Sequence, residues 1–416
     1  MNKKSFAIIG GGYSGCSAAL YLISKGQNVT IYENNSLLGG VAKDLLYNDS
    51  IYFNGPNYLN TESLLIKLLQ KEKFFKKHIK TCNLSYGSYT DIFGKENISN
   101  NFAHPVSSGK FETKNNLSFK LKSLKDRIEY YPTTVRKNLA LWSAKYENIL
   151  SNLHHDCSHA MGFGRLHFKN CNNEISQLKK KSRIADDLLG IPDLNYNKIK
   201  FCIPKNGYNS FFESIKYFLK KKKVKVNLSC RVTIKKEAGK LTFLSANKKI
   251  NADYFIWASN PVPLIFNLGL GVLDNPIIKV QIISCELNNQ SKKIENRYIQ
   301  VFSKKSNIFR IYFYNLLDKN KIAIELLHNK KRNSIENELI FARKILSKFN
   351  YNLAFKNPIN SNRQIRHILF TLNDYKKFMK FEKMSKNLNV IGGGWYLIGS
   401  KAKMDHIKNE IDKLNL

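Results

Sequence analysis

Three glycines near the start of the chain have a spacing that suits phosphate binding. Gly10, Gly12 and Gly15 form the pattern G-x-G-x-x-G. Gly10 would allow a sharp turn, Gly12 would let the backbone approach a pyrophosphate, and Gly15 would let a helix pack closely on a sheet. The intervening Tyr13 and Ser14 would begin that helix and offer unpaired N–H groups to the phosphates. These residues predict the phosphate site of a dinucleotide.

The segments around the glycines are those that such a site needs. An apolar run at 6–9 predicts a buried strand, small and apolar residues at 16–24 predict a helix, and 29–32 predicts a second strand. Glu33 ends the second strand, 18 positions after Gly15, where a carboxylate can accept hydrogen bonds from a ribose. The alternative is a glycine-rich turn without a ligand, and this combination of elements favours the dinucleotide.

A second glycine pair, Gly39 and Gly40, follows Glu33 with the spacing E-x5-G-G. Residues 1–40 resemble the beginning of the amine oxidase, protoporphyrinogen oxidase and UDP-galactopyranose mutase superfamily of FAD-dependent proteins. The resemblance implies FAD as the cofactor, with the glycine pair letting a loop pass close to its diphosphate. Val41 stands where this superfamily often has Arg or Asn.

Residues 51–61 form the second informative stretch. A short strand leads to a Gly-Pro turn and then to a predicted helix over 62–70. The stretch resembles the G-x-H-x-x-H-T segment that passes in front of the flavin in UDP-galactopyranose mutases, with Asn57 and Asn60 at the two histidine positions. The resemblance implies that both amides meet flavin or substrate, where they can hydrogen-bond but cannot titrate near neutral pH. The alternative is a turn in which they cap the following helix.

Two strands later in the chain resemble the part of the superfamily's chain that re-enters the cofactor-binding domain. The strand at 224–228 leads to Val232, and the resemblance implies that the Val232 backbone contacts adenine. A hairpin and a strand at 250–259 follow, and the resemblance implies that Ala258 lies near the cofactor.

The last strand and helix complete this resemblance. A strand at 388–391 is followed by Gly393, Gly394 and Trp395 and then by a helix over 402–414. The resemblance implies that these residues lie under the flavin, with the helix N-terminus stabilising negative charge on the reduced ring.

Four strand-like runs, 277–287, 298–303, 308–315 and 321–327, predict an antiparallel sheet that forms the floor of a substrate chamber. Arg310 resembles the flavin-side arginine of the mutases, although the acid expected three residues later is Phe313. The alternative for Arg310 is an exposed strand arginine.

Two further residues are candidates for the chamber. Trp142 is either a wall of the substrate site or plain core. Arg165 lies where the mutases carry a Lys-Gln-Trp sequence, and its guanidinium would suit an anionic group.

The predicted fold is α/β, with a Rossmann-like, glutathione-reductase-like FAD-binding domain and an inserted α+β substrate domain. We predict that residues 1–60, 195–265 and 386–416 form the first domain, and that 61–194 and 266–385 form the second. The leading functional hypothesis is an FAD-dependent oxidoreductase that moves a hydride from a C–N or C–C bond of a small organic substrate to flavin N5. The alternatives are a mutase acting on a nucleotide sugar through reduced FAD, and a flavin-binding protein without turnover.

The composition limits the possible partners. A formal net charge of +37 would ordinarily suggest nucleic acid or an anionic membrane, but the basic residues are mostly Lys, are spread along the chain and accompany no nucleic-acid motif. We therefore expect no nucleic-acid partner, while an anionic or nucleotide-linked substrate and a peripheral membrane contact stay open. No apolar run approaches eighteen residues, and the N-terminal run belongs to the glycine motif, so we expect neither a transmembrane segment nor a secretory signal.

The cysteines and histidines give no metal signature. The seven cysteines include no C-x-x-C pair and are typical of reduced thiols, which favours a cytoplasmic location. His155 and His159 would share one helix face beside Cys157, but no second cluster supports zinc, and we expect a packed helix without a metal.

Overall fold

The structure is a computed structural model, and it describes residues 3–48, 50–55, 58–72, 74–100, 104–105, 121–129, 131, 133–147, 150–167, 177, 180–181, 200–237, 240–287, 297–313, 321–328, 333–361 and 364–416. The helices are α1 Tyr13–Ser24, α2 Leu64–Gln70, α3 Phe74–His78, α4 Leu124–Glu129, α5 Thr133–Ser143, α6 Gly207–Lys221, α7 Val262–Asn267, α8 Ile335–Lys348, α9 Leu372–Leu388 and α10 Ser400–Asp412. Short 3-10 helices span Ala144–Tyr146, His155–His159 and Phe163–Arg165.

The strands are β1 Ser5–Ile9, β2 Asn28–Tyr32, β3 Asp44–Tyr47, β4 Ser50–Phe53, β5 Leu59–Asn60, β6 Ile79–Asn83, β7 Ser85–Thr90, β8 Asn97–Ser99, β9 His104–Pro105, β10 Leu166–His167, β11 Lys200–Pro204, β12 Lys225–Asn227, β13 Val232–Glu237, β14 Lys240–Ser245, β15 Lys248–Lys249, β16 Tyr254–Trp257, β17 Ile277–Leu287, β18 Arg297–Phe302, β19 Ile308–Phe313, β20 Lys321–Leu327, β21 Phe355–Asn360, β22 Gln364–Ile368 and β23 Val390–Gly392.

A five-stranded parallel sheet contains the first and last strands of the chain. Its order is β12-β2-β1-β16-β23, and every pairing in it is parallel. Parallel strands need both faces covered, and two separate apolar clusters cover this sheet, one of them including residues of α1 and α10. The predicted α/β class with a Rossmann-like sheet is confirmed.

Helix α1 packs closely on this sheet because its inner residues are small. Gly15, Cys16, Ala18 and Ala19 are all buried. A Cβ atom placed on Gly15 would lie 1.9 Å from the carbonyl oxygen of Gly10, so only glycine permits this approach. The third glycine of the motif is therefore required by the fold itself.

The second large sheet has eight strands in the order β21-β17-β20-β19-β18-β7-β8, with β22 also paired to β17. The four strands predicted from the sequence are present as β17 to β20, and their mutual pairings are antiparallel. One face is apolar, and residues such as Ile299, Ile311 and Ile324 pack there with residues of α8. The opposite face carries larger polar and aromatic side chains and is the predicted chamber floor.

Other predicted elements differ in detail. The helix predicted over 62–70 begins at Leu64 with Ser63 as its N-cap. The sequence also predicts helices over 156–161 and 173–189. The first is a 3-10 turn at His155–His159, and the second lies largely outside the described residues. The division into two discontinuous domains stays a prediction.

Candidate functional site

The ends of four parallel strands bring distant residues to one edge of the sheet. Gly10, Glu33, Ala258 and Gly393 each directly follow the carboxyl end of their strand. A Cβ atom on Gly10 would lie 3.1 Å from the Ala258 carbonyl carbon, and one on Gly393 would lie 3.5 Å from the Ala258 Cα. The carboxyl edge of a parallel sheet is where open α/β folds bind their ligands.

The first two glycines of the motif differ in whether the fold itself requires glycine. Gly10 has a φ of +102°, a left-handed conformation that L side chains rarely adopt, so the turn after β1 requires it. Gly12 has a φ of −75°, and the nearest atom to a Cβ placed there is the Gly40 Cα at 3.8 Å, an ordinary contact. Nothing in the described protein therefore requires glycine at position 12. The space that a side chain would fill is available to a ligand.

The second glycine pair packs directly against the first motif. The Gly39 amide donates to the Gly11 carbonyl at 2.9 Å. Gly39 and Gly40 have φ values of +117° and +62°, and a Cβ on Gly40 would lie 3.3 Å from the Gly12 Cα. The two glycine loops thus leave bare backbone facing bare backbone, which suits the close passage of a diphosphate.

Two helix N-termini open at this edge. Ser17 of α1 donates to Met404 of α10 at 2.8 Å, and one to two turns further on, Tyr21 and Lys25 of α1 both contact Asp412 of α10. Because both sets of contacts advance in the same direction, the helices run parallel. Their N-terminal ends, which follow β1 and β23, are therefore neighbours.

Neither of these N-termini is capped within the described residues. Helices α1 and α10 have glycine N-caps, no side-chain cap and no acid in the first turn. The three other described helices of twelve or more residues are capped: α6 by Asp44, α8 by Ser334 and α9 by Thr371. Uncapped N–H groups and two helix dipoles at one edge form a site for anionic oxygens.

Glu33 is 5 % exposed and is held by the loops around it. Its carboxylate accepts hydrogen bonds from the Gly11 amide at 2.7 Å and from the Asn35 backbone and side-chain amides at 2.8 and 2.7 Å. Oε1 accepts both Asn35 donors, whereas Oε2 accepts only the Gly11 amide and retains capacity for a further donor such as a ribose hydroxyl. The Cys230 amide donates to the Glu33 carbonyl at 2.8 Å, which brings the start of β13, Val232, towards the same edge.

Trp395 is anchored rather than free. Its indole Nε1 donates to the Ser259 carbonyl at 3.0 Å, and its ring packs against Phe378 and Phe381. Gly394 has a φ of +64°, which turns the chain between β23 and α10. The loop before α10 is thereby fixed to the residues that follow β16.

Arg310 lies on the sheet that was predicted to form the chamber floor and is buried, so the interpretation of it as an exposed strand arginine is wrong. Its guanidinium is 3.5 Å from the Glu325 carboxylate on the adjacent strand and 3.5 Å from His367 Nε2. Its Nε has no hydrogen-bond partner in the described structure.

A second guanidinium shares this face. The Arg165 Cζ lies 4.3 Å from the centre of the Tyr298 ring, and the Arg310 Cζ lies 5.8 Å from the same ring. Glu325 is fully buried between the strands beneath Arg310. Two guanidinium groups therefore lie near the Tyr298 ring, and Glu325 pairs with one of them, Arg310.

Asn57 lies outside the described residues. Asn60 is at the end of β5, and its side-chain oxygen accepts the Glu62 amide at 2.7 Å, which forms a turn before α2 but does not cap that helix, whose N-cap is Ser63. Tyr58, between them in sequence, donates to the Phe313 carbonyl at 3.0 Å, so this stretch runs beside the chamber sheet. Trp142 is 2 % exposed and belongs to the core.

Comparison with known proteins agrees with this geometry. A family model, the NAD(P)-binding Rossmann-like domain, matches residues 8–71. No curated protein sequence matches the chain.

The solved structure of a candidate protoporphyrinogen oxidase from Exiguobacterium sp. 255-15 has a TM-score of 0.63 at 15% identity, covering 100% of this chain and 99% of that chain. Reduced UDP-galactopyranose mutase has a TM-score of 0.66 at 11% identity, covering 99% and 96%. Putrescine oxidase bound to putrescine has a TM-score of 0.61 at 12% identity, covering 100% of both chains.

The chain has the fold of the FAD-dependent amine oxidase superfamily. The resemblance stated from the sequence is thus confirmed at the level of the fold. Among the described helices, none has the length and apolar character needed to cross a bilayer.

One cluster was not found from the sequence. His154, His155 and Asp156 bring possible metal-ligating atoms within 4.8 Å of one another, whereas the sequence pointed to His155 and His159. His154 Nδ1 accepts the Asp156 amide at 3.3 Å, and its ring stacks on Tyr375. Burial, and then the neighbouring His155, lower the pKa of His154 to about 4. Because His154 precedes the turn as its N-cap, helix periodicity could not have identified it.

Proposed function

We propose that the chain is an FAD-dependent oxidoreductase that transfers a hydride from a C–N or C–C bond of a small organic substrate to flavin N5. The observation that carries this proposal is the meeting of two uncapped helix N-termini, α1 and α10, beside the facing glycines Gly12 and Gly40. Bound FAD would supply the redox chemistry, and the protein would supply binding, orientation and electrostatics.

The residues fit FAD better than a nicotinamide dinucleotide alone. The α1 N-terminus with Gly12, Tyr13 and Ser14 would hold the diphosphate, and Glu33 would bind the adenosine ribose. The loop of Gly39 and Gly40 adds a second approach to the diphosphate, for which a Rossmann domain binding only a nicotinamide cofactor has no need.

The last strand and helix of the sheet would serve the ring end of the cofactor. Gly393, Gly394 and Trp395 would lie near the flavin, while Ala258 and Val232 would line the rest of the nucleotide. The positive end of α10 would stabilise negative charge on a reduced ring, which favours reduction of the bound cofactor. Residues 1–60, 195–265 and 386–416 are accordingly assigned to the cofactor domain.

The two arginines near Tyr298 favour a second candidate function. Arg165 and Arg310 would suit an anionic substrate such as a nucleotide sugar, which a mutase of this fold would rearrange with no net redox change. In either case Asn57 and Asn60 would hydrogen-bond substrate or flavin. Neither amide would act as a titrating base.

The absorbance spectrum of the purified protein is the first test. Oxidised flavin bands should be present, or should appear when FAD is added to the apoprotein. A protein that is colourless and takes up no flavin would overturn both candidate functions.

Anaerobic photoreduction followed by titration separates the functions. Bleaching of the oxidised protein by an amine or a polyprenyl compound supports the oxidoreductase. Interconversion of a UDP-sugar only after reduction supports the mutase. If bound flavin gives no response to any of these compounds, the chain is a flavin-binding protein without turnover on them, and the oxidoreductase proposal fails for these substrate classes.

A further inference from the structure

The last residues of α7 and the loop that follows it present large apolar side chains to solvent. In residues 266–272, here called the 266–272 loop, Phe266 is 59% exposed and Val272 is 67% exposed. Leu268 and Leu273 are 7% and 6% exposed and tie the loop to the core. Two apolar side chains therefore project from a segment that is itself firmly attached.

Glycines shape the outer part of this loop. Gly269 and Gly271 have φ values of +77° and +88°, and both are exposed. These left-handed positions bend the backbone on either side of Leu270. Phe266 and Val272 lie on either side of this bend in the sequence, and both are exposed.

Two lysines lie beside the 266–272 loop. A Cβ atom placed on Gly269 would lie 3.8 Å from the Lys236 Nζ, and one on Gly271 would lie 3.7 Å from the Lys377 Cε. Lys377 also donates to the Val272 carbonyl, so its ammonium group lies beside the projecting valine.

The elements around the loop carry more basic than acidic side chains. The strand and helix that carry the flanking lysines also carry the exposed Lys235, Lys376 and Lys380. Of the nearby described acids, Asp274 is exposed and accepts the Thr371 hydroxyl at 2.7 Å, and Asp374 is buried in the capping box of α9. The chain as a whole has a formal net charge of +37.

Exposed apolar side chains flanked by lysines match one kind of partner. A bilayer surface accepts apolar side chains at the acyl boundary and attracts lysines to its headgroups when these are anionic. Protein interfaces are depleted in lysine, which makes a protein partner a poorer match. We propose that the 266–272 loop inserts Phe266 and Val272 into the surface of an anionic phospholipid bilayer, with Lys236 and Lys377 at the headgroups.

The binding expected from this loop is peripheral and reversible. Each lysine near an anionic surface strengthens binding roughly fivefold. Binding should weaken as salt rises from 0.1 to 0.5 M, because the screening length shortens over that range. Neutral vesicles should bind the protein much more weakly than anionic ones.

The test is co-sedimentation of the full chain with vesicles of phosphatidylcholine alone or with about 30 mol% phosphatidylglycerol. The apolar variant is F266S/V272S, and its matched control is Y217S, which removes a 73% exposed side chain from α6. The charge variant is K236Q/K377Q, and its matched control is K220Q/K221Q at the exposed end of α6. Circular dichroism and thermal unfolding verify that each variant is folded.

The proposal expects binding to anionic vesicles that falls at least tenfold in F266S/V272S and roughly 25-fold in K236Q/K377Q, with both controls near wild type. It is overturned if the wild-type chain does not bind anionic vesicles at low salt. It is also overturned if the control variants lose binding as much as the loop variants. Concentration-dependent self-association that F266S/V272S abolishes, without any vesicle binding, would show that a second copy covers the loop instead.

Discussion

Gly12 and Gly15 belong to one motif, yet the structure predicts opposite outcomes for their substitution. A Cβ on Gly15 would lie 1.9 Å from the Gly10 carbonyl oxygen, a backbone atom that cannot move without breaking the turn after β1. A Cβ on Gly12 would meet only the Gly40 Cα at 3.8 Å. We therefore expect Gly15→Ala to impair folding and Gly12→Val to impair cofactor binding in a folded protein.

The magnitudes follow from the position of Gly12 at the N-cap of α1. Replacing an N-cap glycine with an apolar residue costs helix stability of about 1 kcal/mol or less, which corresponds to a change in Tm of about 1 °C for a chain of this size. In the ligand complex, the valine side chain would occupy the space next to the diphosphate. Loss of two charge-assisted hydrogen bonds costs about 3–6 kcal/mol, or roughly two to four orders of magnitude in the Kd for FAD.

The assay measures both properties on the same samples. Thermal unfolding of the flavin-free proteins reports stability, and quenching of FAD fluorescence on titration reports the Kd. The reasoning predicts a near-normal Tm with lost FAD binding for Gly12→Val, and a low Tm or insoluble protein for Gly15→Ala. Wild-type FAD affinity in Gly12→Val would refute the assignment of this edge as the diphosphate site.

Three other predictions concern polar groups in the fold. Removing Arg310 as Arg310→Met should destabilise the protein by about 3 kcal/mol in denaturant unfolding, because the carboxylate of Glu325 3.5 Å away is fully buried, whereas Arg310→Lys should cost less. The pKa of His154, about 4 in the folded protein against 6.5 ordinarily, should make stability fall by about 3 kcal/mol as pH drops from 6.5 to 4, because only the unfolded state takes up the proton there. His154→Gln should flatten that part of a stability–pH curve. Asp44→Ala should lower stability by about 1–2 kcal/mol in urea unfolding, because it removes the carboxylate that accepts two amides at the start of α6.

The sequence was most informative where local pattern decides the structure. The first strand, the glycine turn and the following helix could be predicted because steric limits on glycine and apolar periodicity act within a few residues. The four strands of the chamber floor were predictable for the same reason. The order of elements then sufficed to suggest the superfamily fold.

Contacts between segments that are far apart in the sequence could not be predicted from local patterns. Asp44 caps α6, which begins more than 160 residues later, and no local pattern marks that pairing. The burial of Arg310 depends on the register that sets it opposite Glu325 across β19 and β20. The distinction between Gly12 and Gly15 likewise depends on which backbone atoms face each position in the folded protein.

The parallel sheet also has a consequence for biosynthesis. Ser5 of β1 bonds Asp253, 248 positions further along the chain and next to β16, and β23 adds the outermost strand only at residues 390–392. At a synthesis rate of roughly 5–20 residues per second, β1 waits about 12–50 seconds for β16 to be made. The nascent chain must therefore keep an apolar strand edge from pairing wrongly during that time, and the proposed flavin site can form only after β23 has been added.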